Sequence, residues 1–178
     1  LKVKKIILIL SFVISTGYSQ VDFSVGGYFG GGSFSGNSPS IGGFSTGLFT
    51  EVNLPLFAEV YPRVSFIFMK DFNAILPNTH KPYYPYLLGF SFKGVTYQYF
   101  DNKFYLEESV GLLALNDRTF SDTDILDYGV VLSFAGGYDF RNFDLNGFKA
   151  GLSAEYGITF FNTLPQYFSL HLFVHYSI

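Results

Sequence analysis

From Val21 onward, large apolar side chains return at every second position through eight successive segments, a period that belongs to strands and excludes amphipathic helices. The alternation is cleanest near the carboxyl end. Leu126, Tyr128, Val130, Leu132, Phe134, Tyr138 and Phe140 share one face, and Asp127, Gly129, Ser133, Ala135, Gly137 and Asp139 share the other. Phe148 to Phe160 repeats the pattern against Lys149, Ser153 and Glu155, and Phe168 to Ile178 repeats it against Ser169, His171 and His175. Earlier in the chain, Phe23, Val25 and Phe29 oppose Asp22, Ser24, Gly26 and Tyr28. Phe44, Leu48, Val52 and Leu54 oppose Ser45, Gly47 and Glu51. Leu56, Ala58, Val60, Val64, Phe66 and Phe68 oppose Glu59, Arg63 and Ser65. The fifth segment sets Phe104, Leu106, Val110, Leu112 and Ala114 against Tyr105, Glu107, Ser109 and Gly111, with Glu108 on the apolar face near a strand end. In the fourth, Leu88, Phe90 and Phe92 oppose Ser91 and Lys93, and the phase then slips. Val95, Tyr97 and Tyr99 continue the apolar face only if a β-bulge sits at Lys93 and Gly94, and the pattern predicts one there.

A soluble sandwich hides its bulky face and shows lysine, glutamate and threonine on the other. Here the bulky face runs through all eight segments, the opposite face is mostly glycine, serine and alanine, and only 14% of residues are charged against roughly 25% in soluble domains. Small residues suit the inside of a narrow closed barrel. The bulky face then meets lipid, with tyrosine and phenylalanine near the strand ends as girdles. A tilted strand climbs about 2.5 Å per residue, so about ten residues cross an apolar band of about 25 Å, which these segments can do. Hydrocarbon tolerates no open sheet edge. The expectation is an all-β fold: an eight-stranded antiparallel up-and-down transmembrane β-barrel over residues 20–178. Short connections fall at Asn53 to Pro55, Asp101 to Lys103 and Arg141 to Asn146. Longer ones run from Gly31 to Ser40, Asn73 to Pro82 and Asn116 to Asp124, and Asn162 to Gln166 closes the last hairpin. Tight turns belong to the periplasmic side of such barrels, which places both barrel ends there.

Residues 1–19 read as a secretory signal peptide. Lys2, Lys4 and Lys5 precede the apolar stretch Ile6 to Ile14, and Gly17 and Ser19 stand at −3 and −1 of a cut before Gln20. The apolar stretch is too short to span a bilayer as a helix. Its removal leaves eight basic residues against 14 acidic ones, a net charge of −6 with no basic patch, and argues against a nucleic-acid partner.

In alternation and size, residues 20–178 resemble the small outer-membrane barrel families: the OmpA transmembrane domain, OmpX and the PorT-like barrels. The resemblance implies a bacterial outer-membrane location, with outer-membrane lipid and the barrel-assembly machinery as partners. It also implies that the machinery reads the last strand, which here alternates from Phe168 and ends at Ile178 with Tyr176 two residues earlier. A ligand outside the cell would meet the longer loops.

The face assigned to the lumen carries Asp22, Glu51, Glu59, Arg63, Lys93, Glu107, Asp127, Asp139, Lys149, Glu155, His171 and His175. Charges in a narrow interior are costly unless paired, so they are expected to form a structural network that plugs the barrel. Glu59 and Arg63, about 13 Å apart along one strand, would each pair across it. A narrow porin-like diffusion channel is the alternative. A lipid A-modifying enzyme is a third reading, because Ser153, Glu155, His171 and His175 supply the materials of a Ser/His/Glu arrangement. They point into a crowded lumen rather than at lipid, so the reading is of a protein that is not an enzyme and has no catalytic residues. His80 stands alone in a proline-rich loop, so no metal is expected. Gly26-Gly27 and Gly30-Gly31-Gly32 precede no helix and read as strand glycines running into a loop, so no phosphate-binding cofactor is expected. Tyr83, Tyr84 and Tyr86 read as part of the upper aromatic girdle.

Overall fold

A sheet has no edge only when each strand finds a partner on both sides, and here every strand does. The computed structural model describes residues 22–53, 59–77, 79–101, 103–141 and 146–178. The leader at 1–19, Val21, and Leu54, Leu56 and Ala58 of the second and third segments lie outside them. Eight strands follow in order: β1 (Asp22–Ser35), β2 (Ile41–Asn53), β3 (Tyr61–Asp71), β4 (Tyr86–Phe100), β5 (Phe104–Arg118), β6 (Ile125–Asp139), β7 (Gly147–Thr159) and β8 (Gln166–Ser177). Each pairs antiparallel with its neighbours in sequence, and β1 pairs with β8 to close the barrel. The fold is the expected eight-stranded up-and-down barrel.

The β1–β8 seam depends on two glycines. Gly30 and Gly32 sit within β1, opposite His171 and Ser169. A Cβ on Gly30 would lie 1.8 Å from the Leu170 carbonyl oxygen, and one on Gly32 would lie 1.9 Å from that of Phe168. These glycines belong to the strand, which runs on to Ser35 instead of giving way to a loop at Gly31.

We call the end that holds Asp22 and Ser177 the lower end. Its connections cover 54–60, 101–103 and 140–146, and the upper ones cover 36–40, 72–85, 119–124 and 160–165. The expected contrast between tight lower turns and longer upper loops holds only for 101–103 and 72–85: strand extension makes 36–40, 119–124 and 160–165 shorter than the lower connections 54–60 and 140–146. Leu48, Leu112, Leu152 and Leu172 project from the outer wall and are among its most exposed side chains. Phe104, Tyr138 and Phe140 pack ring on ring at the lower rim, as do Phe148 and Tyr176. Phe44, Phe68 and Tyr86 form the matching row higher up.

Two further expectations fail. First, β4 has no bulge: its register with β3 and β5 is unbroken, Arg63 opposite Lys93 and Tyr61 opposite Val95. Val95 is fully buried in the lumen, Tyr97 follows it inward, and Thr96 and Gln98 face out. Second, the interior is not small-sided throughout. In its upper half Phe34, Ile67, Met69, Leu87, Leu113, Leu115, Val131 and Tyr167 form a packed apolar core.

Arginine at outward-facing Leu172 is expected to cost about 2–4 kcal/mol in a refolding titration. A spin label at Leu172 should be quenched by a lipid-soluble relaxant, and one at Phe173 should be protected. Equal quenching at both positions would overturn the facing.

Candidate functional site

The ion-paired residues of the lumen gather below the apolar core, and their pairings follow from strand register. Glu51 of β2 lies directly opposite Arg63 of β3, and Tyr97 of β4 lies opposite Glu107 of β5. All four side chains meet on one guanidinium. Arg63 Nε and Nη2 donate to Glu51 Oε2 at 2.9 and 2.6 Å. Nη2 also donates to Glu107 Oε2 at 2.8 Å, and Nη1 bonds Glu107 Oε1. The Tyr97 hydroxyl accepts from Nη2 and lies 2.8 Å from Glu51 Oε1, to which it can donate. The guanidinium carbon stands 4.5 Å from the centroid of the Phe49 ring. Arg63 is 5% exposed, so this is a desolvated cluster in which an arginine fork satisfies two carboxylates.

A second pair spans the barrel. Lys93 of β4 donates to Glu155 of β7 at 2.6 Å, and the other Glu155 oxygen accepts from Tyr167 at 2.6 Å. Lys149, buried nearer the lower mouth, forms no ion pair among the described residues. Its ammonium donates to the Tyr99 hydroxyl at 2.8 Å and stands 4.3 Å from the Tyr97 ring centroid and 5.3 Å from that of Tyr105, so aromatic faces take the place of a carboxylate. Asp139 holds Arg141 at 2.7 Å, and this hydrogen bonding raises the guanidinium above its ordinary pKa.

The remaining members of the expected set lie elsewhere or act differently. Glu59 is not in the lumen, because β3 begins at Tyr61 and Glu59 is exposed in the lower connection. Among the described residues Asp127 pairs with no cation. Its Oδ1 accepts the backbone N–H groups of Tyr128 and Phe161 at 3.0 and 3.2 Å, which pins an upper loop. Asp22, at the lower rim, accepts from Asn53 at 3.2 Å. His171 packs against Tyr28 at 4.4 Å with the rings tilted, His175 meets Phe49 edge-on at 5.3 Å, and among the described residues neither His175 nitrogen has a hydrogen-bond partner. Ser153 is the cross-strand neighbour of His171, yet no hydrogen bond joins them among the described residues, and Glu155 is held by Lys93 and Tyr167. No Ser/His/Glu relay is assembled.

The pattern of acids and bases did not single out the tyrosines that complete the cluster. Tyr97, Tyr99, Tyr105 and Tyr167 count as apolar in a hydropathy pattern, but their hydroxyls and ring faces serve the buried charges. Asp71 and Asp117 were also missed. Asp117 accepts from the backbone of Asn37 and Thr119, and Asp71 accepts from Asn73 and Lys81.

Free space along the lumen is uneven. The void lined by Arg63, Lys93, Glu107, Glu155 and His171 measures about 20 Å³, room for about one water. Below it, a vestibule of about 190 Å³ between Glu51, Tyr97, Lys149 and His175 opens at the lower mouth.

Comparison of this architecture with solved structures finds close counterparts in shape. The neisserial surface protein NspA superposes with a TM-score of 0.61 at 14% identity, covering 88% of this chain and 97% of that one. The fold is that of the small outer-membrane barrels. OprG, an outer membrane protein of Pseudomonas aeruginosa, matches with a TM-score of 0.56 at 9% identity, covering 91% and 98%. Ail, the attachment invasion locus protein of Yersinia pestis, matches at 0.55 and 8%, covering 89% and 99%. Ail has also been solved in complex with the heparin analogue sucrose octasulfate. No family model matches the sequence, and no curated protein does.

Arg63→Ala would leave Glu51 and Glu107 buried without their cation, at a cost of about 3–5 kcal/mol, less whatever lumen water recovers. The midpoint of urea unfolding should fall accordingly. Removing the exposed Glu59 should leave it unchanged.

Proposed function

We propose that the chain is a non-enzymatic integral protein of the bacterial outer membrane, with its lower end in the periplasm, a side-chain-filled lumen and a role exercised through its upper loops. That role is structural support of the membrane or contact with molecules outside the cell. One observation carries the reading: the lumen has two successive seals. The lower is the ion-paired cluster around Arg63 and Lys93, where the residual void is about 20 Å³. The upper is the apolar core around Leu113, Leu115 and Val131, where a hydrated ion would shed its water against hydrocarbon. Eight strands leave an interior just wide enough for side chains to fill, and these side chains fill it.

The upper surface supports a contact role. Ile75, Leu76, Phe120, Phe161 and Leu164 are exposed on its loops. Asp127 ties the Phe161 loop to the barrel wall, Asp117 accepts from Thr119 at the root of the Phe120 loop, and Tyr83 holds the Ile75 loop by donating to the Arg118 carbonyl at 2.7 Å. Apolar side chains held on a fixed platform suit binding, since little ordering entropy is then lost on contact.

The wild type should show no steady conductance in a planar bilayer. A tag inserted at Leu76 should be labelled on intact cells, whereas one at Asp101 should require a permeabilised outer membrane. A stable open channel in the wild type would make the protein a small porin. Reversed labelling would invert its orientation.

A further inference from the structure

The unbroken register of β4 gives the outer wall an unexpected feature. Because Val95 and Tyr97 turn inward, Thr96 and Gln98 face out, and Thr96 lies opposite Glu108, which also faces out. Among the described residues, Glu108 forms no ion pair. Thr96 is ten residues below Tyr86 on β4, about 25 Å down the wall, and Glu108 stands four residues, about 10 Å, above the aromatic rim at Phe104, which puts this polar group low on the wall.

From that polar group a furrow of about 440 Å³ runs across the wall. Its lower bank is the hydrogen-bonded row Thr96–Glu108–Phe134–Ala154. The upper bank is the next outward row, Gly94–Val110–Leu132–Tyr156–Phe168. The backbone of Ser109, Ser133 and Glu155, whose side chains point inward, lies between them as the floor. Crossing from β4 to β8 covers four strand spacings, about 19 Å. The strands are tilted, so the furrow climbs as it crosses: Thr96 lies four residues from the lower end of β4, and Phe168 only two from the upper end of β8. A polar foot low on the wall and an apolar channel rising from it match the shape of a phospholipid.

We propose that this furrow holds one phospholipid of the leaflet at the lower end, with its primary ammonium headgroup on Glu108 and one acyl chain along Leu132, Phe134, Tyr156 and Phe168. The inference rests on the transmembrane placement proposed above. The charge selects the headgroup. A carboxylate on an apolar wall is costly without a cation, and the neighbouring outward residues Thr96, Gln98, Leu106 and Val110 supply none. For the same reason the proposal is a lipid rather than a second copy of the chain. The other copy would bring another Glu108 and no lysine or arginine at that depth. Thr96 and Gln98 add hydroxyl and amide groups for the phosphate and glycerol oxygens.

The test is native mass spectrometry of the full chain released from nanodiscs made with equal amounts of phosphatidylethanolamine and phosphatidylglycerol of identical acyl chains. Insertion is checked first by heat-modifiable migration and protease protection, and failure to insert would overturn the transmembrane reading itself. For the inserted wild type, one retained lipid is expected, with the ethanolamine form favoured roughly tenfold, as one charge-assisted hydrogen bond implies. Glu108→Gln keeps the shape and should abolish the preference. Ala154→Phe narrows the furrow from outside and should reduce retention of both lipids while leaving migration unchanged. Equal retention of the two lipids by inserted wild type would overturn the proposal, as would an undiminished preference in Glu108→Gln or a protein dimer in place of the lipid adduct.

Discussion

In hydrocarbon a backbone N–H or C=O without a partner costs several kcal/mol, and water is not there to replace it, so a sheet that crosses a membrane must have no edge. The β1–β8 seam is where this chain meets that demand. It pairs residues from Ser24 with Ser177 up to Ser35 with Gln166. Gly30 and Gly32 let the two backbones approach where any side chain would strike a carbonyl. Closure then dictates the remaining arrangement. A closed sheet of eight strands has one narrow inside and one outside, and each residue is assigned to one or the other by parity alone. Whatever charge the inward parity carries must be neutralised within that space.

The interior answers with two layers of different chemistry. In the lower layer Arg63, Lys93, Lys149 and Arg141 stand against Glu51, Glu107, Glu155 and Asp139, sign for sign. Direct bonds join all of these except Lys149. Lys149 rests among tyrosine faces while Arg63 serves two carboxylates. The planar fork of the guanidinium grips each carboxylate with two N–H groups, a geometry that an ammonium does not offer. The consequence for the fold is a tie between β2, β3 and β5, strands that do not all adjoin. The upper layer closes by apolar packing, and the buried carboxylates of Asp71, Asp117 and Asp127 above it are met by loop and backbone N–H groups rather than by buried cations. Leucine and valine there do what the ion pairs do below.

The strand count, the closure and the facing of seven strands were legible in the sequence because each depends on parity, and parity survives noise. What was not legible depends on how a single residue is classed. In β4 the pattern Val95, Tyr97, Tyr99 looked like lipid face displaced by one, since valine and tyrosine both count as apolar. A shift in hydropathy is not a shift in backbone, and the ladder runs through it unbroken. Glu59 had the correct parity but lies before β3 begins, and parity says nothing about where a strand starts. The apolar upper layer was obscured for a related reason. Around Leu112-Leu113-Ala114-Leu115 both faces are apolar, the alternation fades, and a lumen-facing leucine cannot be told from a lipid-facing one. The candidate site was therefore visible as a set of charges. The tyrosines that let those charges remain buried were not.

The buried tyrosine on β4 and the polar residues outside it are consequences of one choice. Tyr97 reaches Arg63 and Glu51 only if β4 keeps its register past Gly94, and the same register turns Thr96 and Gln98 toward the membrane. A bulge would have given the wall an unbroken apolar face there. It would also have removed a hydroxyl from the cluster and left Glu51 with one less donor in a desolvated interior, where an unmet acceptor costs more than a polar side chain low on the wall. The interior requirement is the stronger, and the outer wall takes the residues it leaves. Polar positions on the lipid face of a small barrel are thus to be sought first behind its buried charge clusters.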